Sequence, residues 1–316
     1  MGEKQRISKG HNPSTFIQQC TFNGKMCLKE YLSNFSNFRY GNCVTFNKRT
    51  NMIKSRKVSK TGTGSGLLLS LYFEADKYMA PTPTIGGIVI IHDPDEIPAP
   101  EEKGYIISHG YETVIGMKQT IFKRLPAPYK DRCIDYKARS AEFTRSKDEC
   151  IRKCIQMRSF TQCGCIDPTL SILLHEFRSC DISNETESCC LDDVLDRMSR
   201  TGSTCNCPLP CRFVSYGEEL SRSLLRSINI TESFSLPKND VARVKIFYST
   251  LKKLVYEQRP QWEVSELLSI LGNEFALWLG SSLVFFGEIL EILVLYVKHV
   301  SAYIFFRFKQ KMVSPV

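Results

Sequence analysis

The sequence predicts an α+β chain: a disulfide-rich extracellular domain followed by one C-terminal transmembrane helix. Three observations carry that prediction. Ten of the 14 cysteines fall between Cys150 and Cys211. Short apolar runs closed by turn residues precede that cluster and follow it. And LWLGSSLVFFGEILEILVLYV, residues 277–297, is longer and more apolar than any other stretch of the 316 residues.

The bulk numbers narrow the classes. Net charge is +9, but the Lys and Arg residues are dispersed and form no stripe interleaved with aromatics, so nucleic acid is not an expected partner. So many cysteines point to an oxidising compartment and a cystine framework. Metal binding by CGC (Cys163, Cys165) and CNCPLPC (Cys205, Cys207, Cys211) is disfavoured. The spacing is mostly C-x-C, and few of the five histidines accompany it. No metal and no cofactor are therefore expected. His92 and His109 stand in turn-like contexts with no nucleophile–base arrangement, so the chain is not expected to be an enzyme. Sequons at Asn34, Asn184 and Asn229 agree with a secretory route and with glycosylation there.

In chain order, residues 20–47 are aromatic-rich and turn-rich and carry three cysteines; 55–66 are basic, then Gly/Thr/Ser-rich, as a connection would be. LLLSLYFEADKY (67–78) and GGIVIIHDPDEIPAP (86–100) each read as a β run closed by turn residues. A helix is expected from Arg139 to about Met157, with Ser146 as N-cap and Glu149 completing a capping box. That helix sets Cys150 and Cys154 one turn apart on one face, able to bond to a second element alongside. Leu191–Met198 suits another short helix, and 242–258 alternates like a strand leading toward the apolar stretch.

The 23 residues from Phe275 to Val297 make about 34 Å of helix, against about 30 Å of hydrocarbon. Projected at 100° per residue, Gly280, Val284, Gly287, Glu288 and Glu291 share one arc of about 100°. A carboxylate facing lipid costs at least about 2.5 kcal/mol, so a small, acidic face suggests a water-filled path for cations. Lys298, Arg307, Lys309 and Lys311, with no acid among them, favour a cytoplasmic C-terminus. Nothing before residue 267 would start translocation, so the extracellular part is expected to be N-terminally incomplete.

FIQQCTFNGKMC, FRYGNCVTFN, IVIIHDPDEIP, the nested cysteines ending in CNCPLPCRFVSY, and LWLGSSLVFFGEILE occur in that order from about residue 16 to about 297. Together they resemble the degenerin/epithelial sodium channel/acid-sensing ion channel family. The resemblance implies a trimeric, sodium-selective, amiloride-sensitive cation channel of the plasma membrane, a homo- or heterotrimer with family subunits in membrane lipid. It implies an extracellular domain over 1–266, with palm, β-ball, finger and knuckle in 20–130, a cystine-rich thumb in 131–215 and the palm return in 216–266. The pore helix is then 267–297 and the cytoplasmic tail 298–316. Carried over, the disulfides are Cys20–Cys27, Cys133–Cys211, Cys150–Cys207, Cys154–Cys205, Cys165–Cys180, and Cys163 with Cys189 or Cys190. Cys43 is left with no partner, because the family bonds it just after a first membrane helix that residues 1–316 do not contain. The small triplet Gly280, Ser281, Ser282 matches the selectivity filter, Glu288 and Glu291 the acidic pore rings, Ser269 the gating position where bulky residues hold family channels open. Tyr129 matches the gating-contact loop, and Glu274 stands where a neutral residue is expected. The alternative expectation is a non-conducting membrane-anchored ectodomain or truncated regulatory subunit.

Overall fold

The computed structural model describes residues 3–49, 55–78, 84–137, 144–171, 174, 176–202, 205–225, 240–280 and 283–312. These form two compact units, Met1–Gln258 and Arg259–Val316. In chain order the first unit contains α1 (Glu3–Lys9), α2 (Pro13–Phe16), β1 (Ile17–Phe22), β2 (Lys25–Met26), β3 (Leu32–Asn37), β4 (Gly41–Phe46), β5 (Leu67–Tyr72), β6 (Gly86–Val89), β7 (Tyr105–Ser108) and β8 (Tyr111–Lys123). Then come α3 (Lys147–Cys163), α4 (Glu185–Thr201), β9 (Arg212–Leu224), β10 (Val241–Tyr248) and β11 (Leu254–Glu257). The second unit contains α5 (Val264–Leu279) and α6 (Leu283–Met312).

The sheet is organised around β8. Its 13 residues pair antiparallel with β9 along their whole length, from Tyr111 opposite Leu224 to Lys123 opposite Arg212. On its other side β8 pairs in parallel first with β10, over Glu112–Met117, and then with β11, over Thr120–Lys123. The order continues through β5, β1 and β2, while β3–β4 and β6–β7 form separate two-stranded sheets. Thr113 and Ile115 of β8 are fully buried two residues apart, as one face of a strand must be. Ile115 joins Leu71, Phe73, Ile107, Ala242 and Val244 in the core, with the Phe16 ring edge-on to Phe73 at 5.5 Å. Gly66 lets β10 come close, since a Cβ there would collide with the Ile246 carbonyl.

Between β8 and β9 the chain leaves the sheet to build a lobe of α3 and α4. Ser146 caps α3 by accepting the Glu149 N–H (3.2 Å), and Gly164, at φ +71°, ends it. The helix therefore begins at Lys147 and runs to Cys163, later at both ends than the sequence suggests; residues 138–143 lie outside those described. Similarly α4 starts at Glu185, because the Asn184 side chain accepts the Thr186 N–H (3.1 Å), and so exceeds the expected Leu191–Met198.

Little apolar surface holds this lobe; sulfur does. Its buried cluster is Cys165, Cys180 and Leu191, with Cys163 against it. The disulfides are Cys20–Cys27, Cys133–Cys211, Cys150–Cys207, Cys154–Cys205, Cys163–Cys190 and Cys165–Cys180. Cys163 thus takes Cys190, and Cys189, placed in the framework as its alternative, is a free exposed thiol. Adjacent residues on a helix point about 100° apart, so only one of the two can face α3.

The single C-terminal helix expected over 267–297 is corrected. Gly280, at φ +59°, caps α5, and α6 begins at Leu283. Left-handed backbone cannot continue a right-handed helix. Among the described residues no helix is long and apolar enough to cross a membrane. The 16 residues of α5 span about 24 Å, and α6 carries Glu288, Glu291 and Lys298 along its apolar part.

Candidate functional site

Three places in the structure gather the chemistry. The first is the loop 92–102, where the sheet domain meets the lobe. Along α3 the buried residues are Glu149, Arg152, Gln156 and Ser159, a polar stripe at helical spacing. Such a stripe is costly unless its groups find partners; most of the contacts below supply them, while Arg152 Nε is buried without one. Glu149, 3 % exposed, accepts the Arg145 N–H and the Ile97 N–H, both at 2.8 Å. Arg152 bonds Glu102 at 2.9 Å and the Ile97 carbonyl at 3.3 Å. Lys137 reaches Asp95 at 2.8 Å and Asp93 at 3.3 Å, and Arg49 reaches Asp95 at 2.9 Å. Burial works against the Lys137 ammonium, but the hydrogen bond to Asp95 and the charge of Asp93 prevail and its pKa is raised. The Glu96 pKa is raised as well, but there it is the neutral form that gains: burial, then Asp93, Glu149 and Asp148, push its carboxyl up to about 7. Burial lowers the His92 imidazole.

The second place is the loop that carries Tyr129. It leaves β8 at Arg124 and returns at Cys133, bonded to Cys211 at the root of the lobe. Tyr129 is exposed, its N–H donating to the Pro126 carbonyl at 3.1 Å. Opposite, Phe122 stacks on Tyr256 with ring centroids 5.2 Å apart, fastening β11 to the end of β8.

The third is the second unit. Glu263 and Glu266 form a capping box that starts α5, on which Ser269 is exposed. Glu274 accepts the Trp278 indole N–H at 2.9 Å one turn on, and Phe275 meets Phe286 edge-on across the break at 5.6 Å. On α6, Val284, Gly287, Glu288 and Glu291 share one face by helical spacing, with both carboxylates exposed. Gly280 does not continue that face: it is the break. Ser281 and Ser282 lie outside the described residues.

The remaining sites are scattered over the first unit. Asn34 on β3 and Asn184 at the α4 N-cap are exposed; Asn229 lies outside the described residues. Cys43 on β4 is a free, half-buried thiol, held up to about 11 by burial and by Glu101. Among the described residues the group of potential metal ligands is Cys165, Cys180 and Glu187, whose two sulfurs are joined to each other. A sulfur in a disulfide offers no thiolate to a metal.

A sequence model of the family described as "Amiloride-sensitive sodium channel" matches residues 2–292, across both units and through Glu291. The chain belongs to the amiloride-sensitive sodium channel family. Members of this family are ion channels of the plasma membrane, not enzymes. The chain is 27 % identical to the degenerin mec-10 of Caenorhabditis elegans over 300 residues, 89 % of this chain and 41 % of that protein. It is 25 % identical to the degenerin deg-1 of the same organism, over 99 % of this chain and 42 % of the relative. To the epithelial sodium channel subunit gamma-2 of Xenopus laevis it is 29 % identical, over 92 % and 47 %. The chain therefore spans less than half the length of these relatives.

In the sequence Glu149 stood out only as a capping-box partner for Ser146, whereas its carboxylate accepts from Arg145 and Ile97; Arg152, Gln156 and Ser159 did not stand out. Buried polar residues have no hydropathy signal, and only their helical spacing marks them.

Proposed function

We propose that the chain is a subunit of a trimeric, sodium-selective, amiloride-sensitive cation channel in the plasma membrane, with the first unit extracellular and the C-terminus cytoplasmic. The observation that carries this reading is the family match, which extends through Glu291 of α6, together with the end of α5 at Gly280, the first residue of the small triplet Gly280, Ser281, Ser282. The last turn of α5 leaves carbonyls without intrahelical partners, and a helix C-terminus carries partial negative charge. Broken helices with free carbonyls at membrane depth suit cation coordination. In three copies, Gly280, Ser281 and Ser282 form the narrowing at which the ion sheds part of its water. Glu288 and Glu291, one and two turns into α6, ring the inner mouth and raise the local cation concentration. Residues 267–297 cross the bilayer as two half-helices in series, which reconciles the short α5 and the charged α6 with a spanning segment. Ser269, about one and a half turns from the start of α5, is the gating position, and Tyr129 the contact loop. Exposed Asn34 and Asn184, with six disulfides, suit an extracellular placement of the first unit.

The test is voltage clamp of cells expressing the chain, in sodium and then in potassium. The expected result is an amiloride-blocked current that reverses near the sodium potential and loses selectivity in Ser282→Cys after thiol modification. Absence of current from the surface-expressed chain, alone and with each family subunit of the same cell, rejects the reading.

A further inference from the structure

At the end of the first unit, one side chain ties three segments together. β8 and β11 run parallel and both end here: β8 passes through Arg124 and Leu125 into the Tyr129 loop, and β11 passes through Gln258 into the second unit. The Gln258 N–H donates to the Lys123 carbonyl at 3.0 Å, extending the ladder by one residue. Its side chain then reaches across. Oε1 accepts the Leu125 N–H at 3.0 Å, and Nε2 donates to Asp131 Oδ2 at 2.6 Å. One amide thus spans both ends of the loop 125–131.

The chemistry suits an amide and little else. One partner is a donor and the other a carboxylate, so the site needs an acceptor and a donor on one planar group. The opposite amide orientation would set oxygen against carboxylate and NH₂ against N–H. Glutamate would repel Asp131, and asparagine is one methylene short. The bond to Asp131 is charge-assisted, and the Asp131 side chain is only 26 % exposed, with Arg124 Nε a further 3.9 Å away. By contrast the neighbouring Lys123–Glu257 pair is about half exposed at each end and contributes little.

The far side of the loop belongs to the lobe. Cys133 is bonded to Cys211, the Arg124 N–H donates to the Cys211 carbonyl at 2.8 Å, and the Arg124 guanidinium to the Pro210 carbonyl at 3.1 Å. Ile134 and Cys211 exchange further backbone bonds with this root, at 3.0 Å to Leu209 and 2.8 Å to Ile134. A shift of the lobe root therefore moves Asp131 and Leu125. Both are fastened to the residue immediately before Arg259, where the second unit begins.

We propose that Gln258 is a positioning residue, the clamp through which the root of the cystine-rich lobe is coupled to the chain entering the C-terminal helices. The coupling deepens the channel reading but does not depend on it. Hydrogen exchange on the purified full chain reads it without current. Gln258→Glu should speed exchange of the Leu125 amide about fivefold, the loss of roughly one hydrogen bond. Adding Asp131→Asn should bring it back within twofold, because the donor and acceptor then trade places. Releasing the lobe root with the Cys133→Ser/Cys211→Ser pair should speed exchange in 259–267 when residue 258 is Gln and not when it is Glu. Equal exchange in wild type and Gln258→Glu, failed rescue by Asp131→Asn, or an effect of the cysteine pair that ignores residue 258 each overturns the clamp. Because Gln258 is exposed, its replacement leaves the core intact. A wild-type chain without amiloride-sensitive current removes the channel reading, while the exchange data still decide the coupling.

Discussion

Single residues set the conditions under which the lobe holds to the sheet domain. Glu96, raised to about 7, binds more protons folded than unfolded between about 4.5 and 7. Its contribution to stability is full below the unfolded value and is lost as pH rises through 7. Glu96→Gln is expected to flatten the fall in melting temperature between pH 5 and pH 8; parallel curves for the two proteins would refute the assignment. Glu149 is a different case, a buried acceptor for two backbone N–H groups. Glu149→Ala orphans both and should cost about 2 kcal/mol or more, seen as a lower melting temperature. In the second unit, Ser269→Val or Ser269→Phe should raise constitutive current, and unchanged current from an assembled channel would count against its gating role.

At the scale of elements, the break between α5 and α6 is the feature to perturb. With Ala at position 280, the added methyl meets nothing within 4 Å, so its effect is conformational and not steric. Left-handed backbone costs an L-residue about 1–2 kcal/mol, and Ala favours helix more than any other residue. Gly280→Ala should thus straighten the segment and lower sodium-over-potassium selectivity, read from reversal potentials. Selectivity equal to wild type would mean that the break plays no part in ion choice. Glu288→Gln together with Glu291→Gln should reduce single-channel sodium conductance with selectivity retained, since rings of charge concentrate ions without discriminating between them. Helix α3 illustrates the limit of hydropathy: its buried face is Glu149, Arg152, Gln156 and Ser159, and no apolar stripe announces it.

For the whole molecule, the lobe is an insertion closed by one bond. Cys133 and Cys211 are 78 residues apart and enclose α3, α4 and four further disulfides. In the chain-entropy view such a loop is worth about 4–5 kcal/mol. Losing it should leave a lobe still cross-linked within itself but loosely rooted. Surface biotinylation of the Cys133→Ser/Cys211→Ser variant is expected to fall severalfold; wild-type surface levels would show that the root needs no covalent lock.

Much of this protein is local and so legible in the sequence. The mixed α+β composition, the Ser146 cap, the runs that became β5 and β6, and the family motifs all depend on neighbours within a few residues or on order along the chain. Tertiary structure alone decided the rest. It chose Cys190 over Cys189, because the choice depends on which face α4 turns to α3. It placed β9 and both β10 and β11 on β8, pairing residues as far apart in the chain as Thr120 and Leu254. It broke the helix at Gly280, where sequence periodicity runs on undisturbed, because a glycine inside an apolar stretch is silent about its φ. And it set Gln258 between Leu125 and Asp131, two partners that a hydrogen-bonding side chain cannot disclose until the chain has brought them within 3 Å of it.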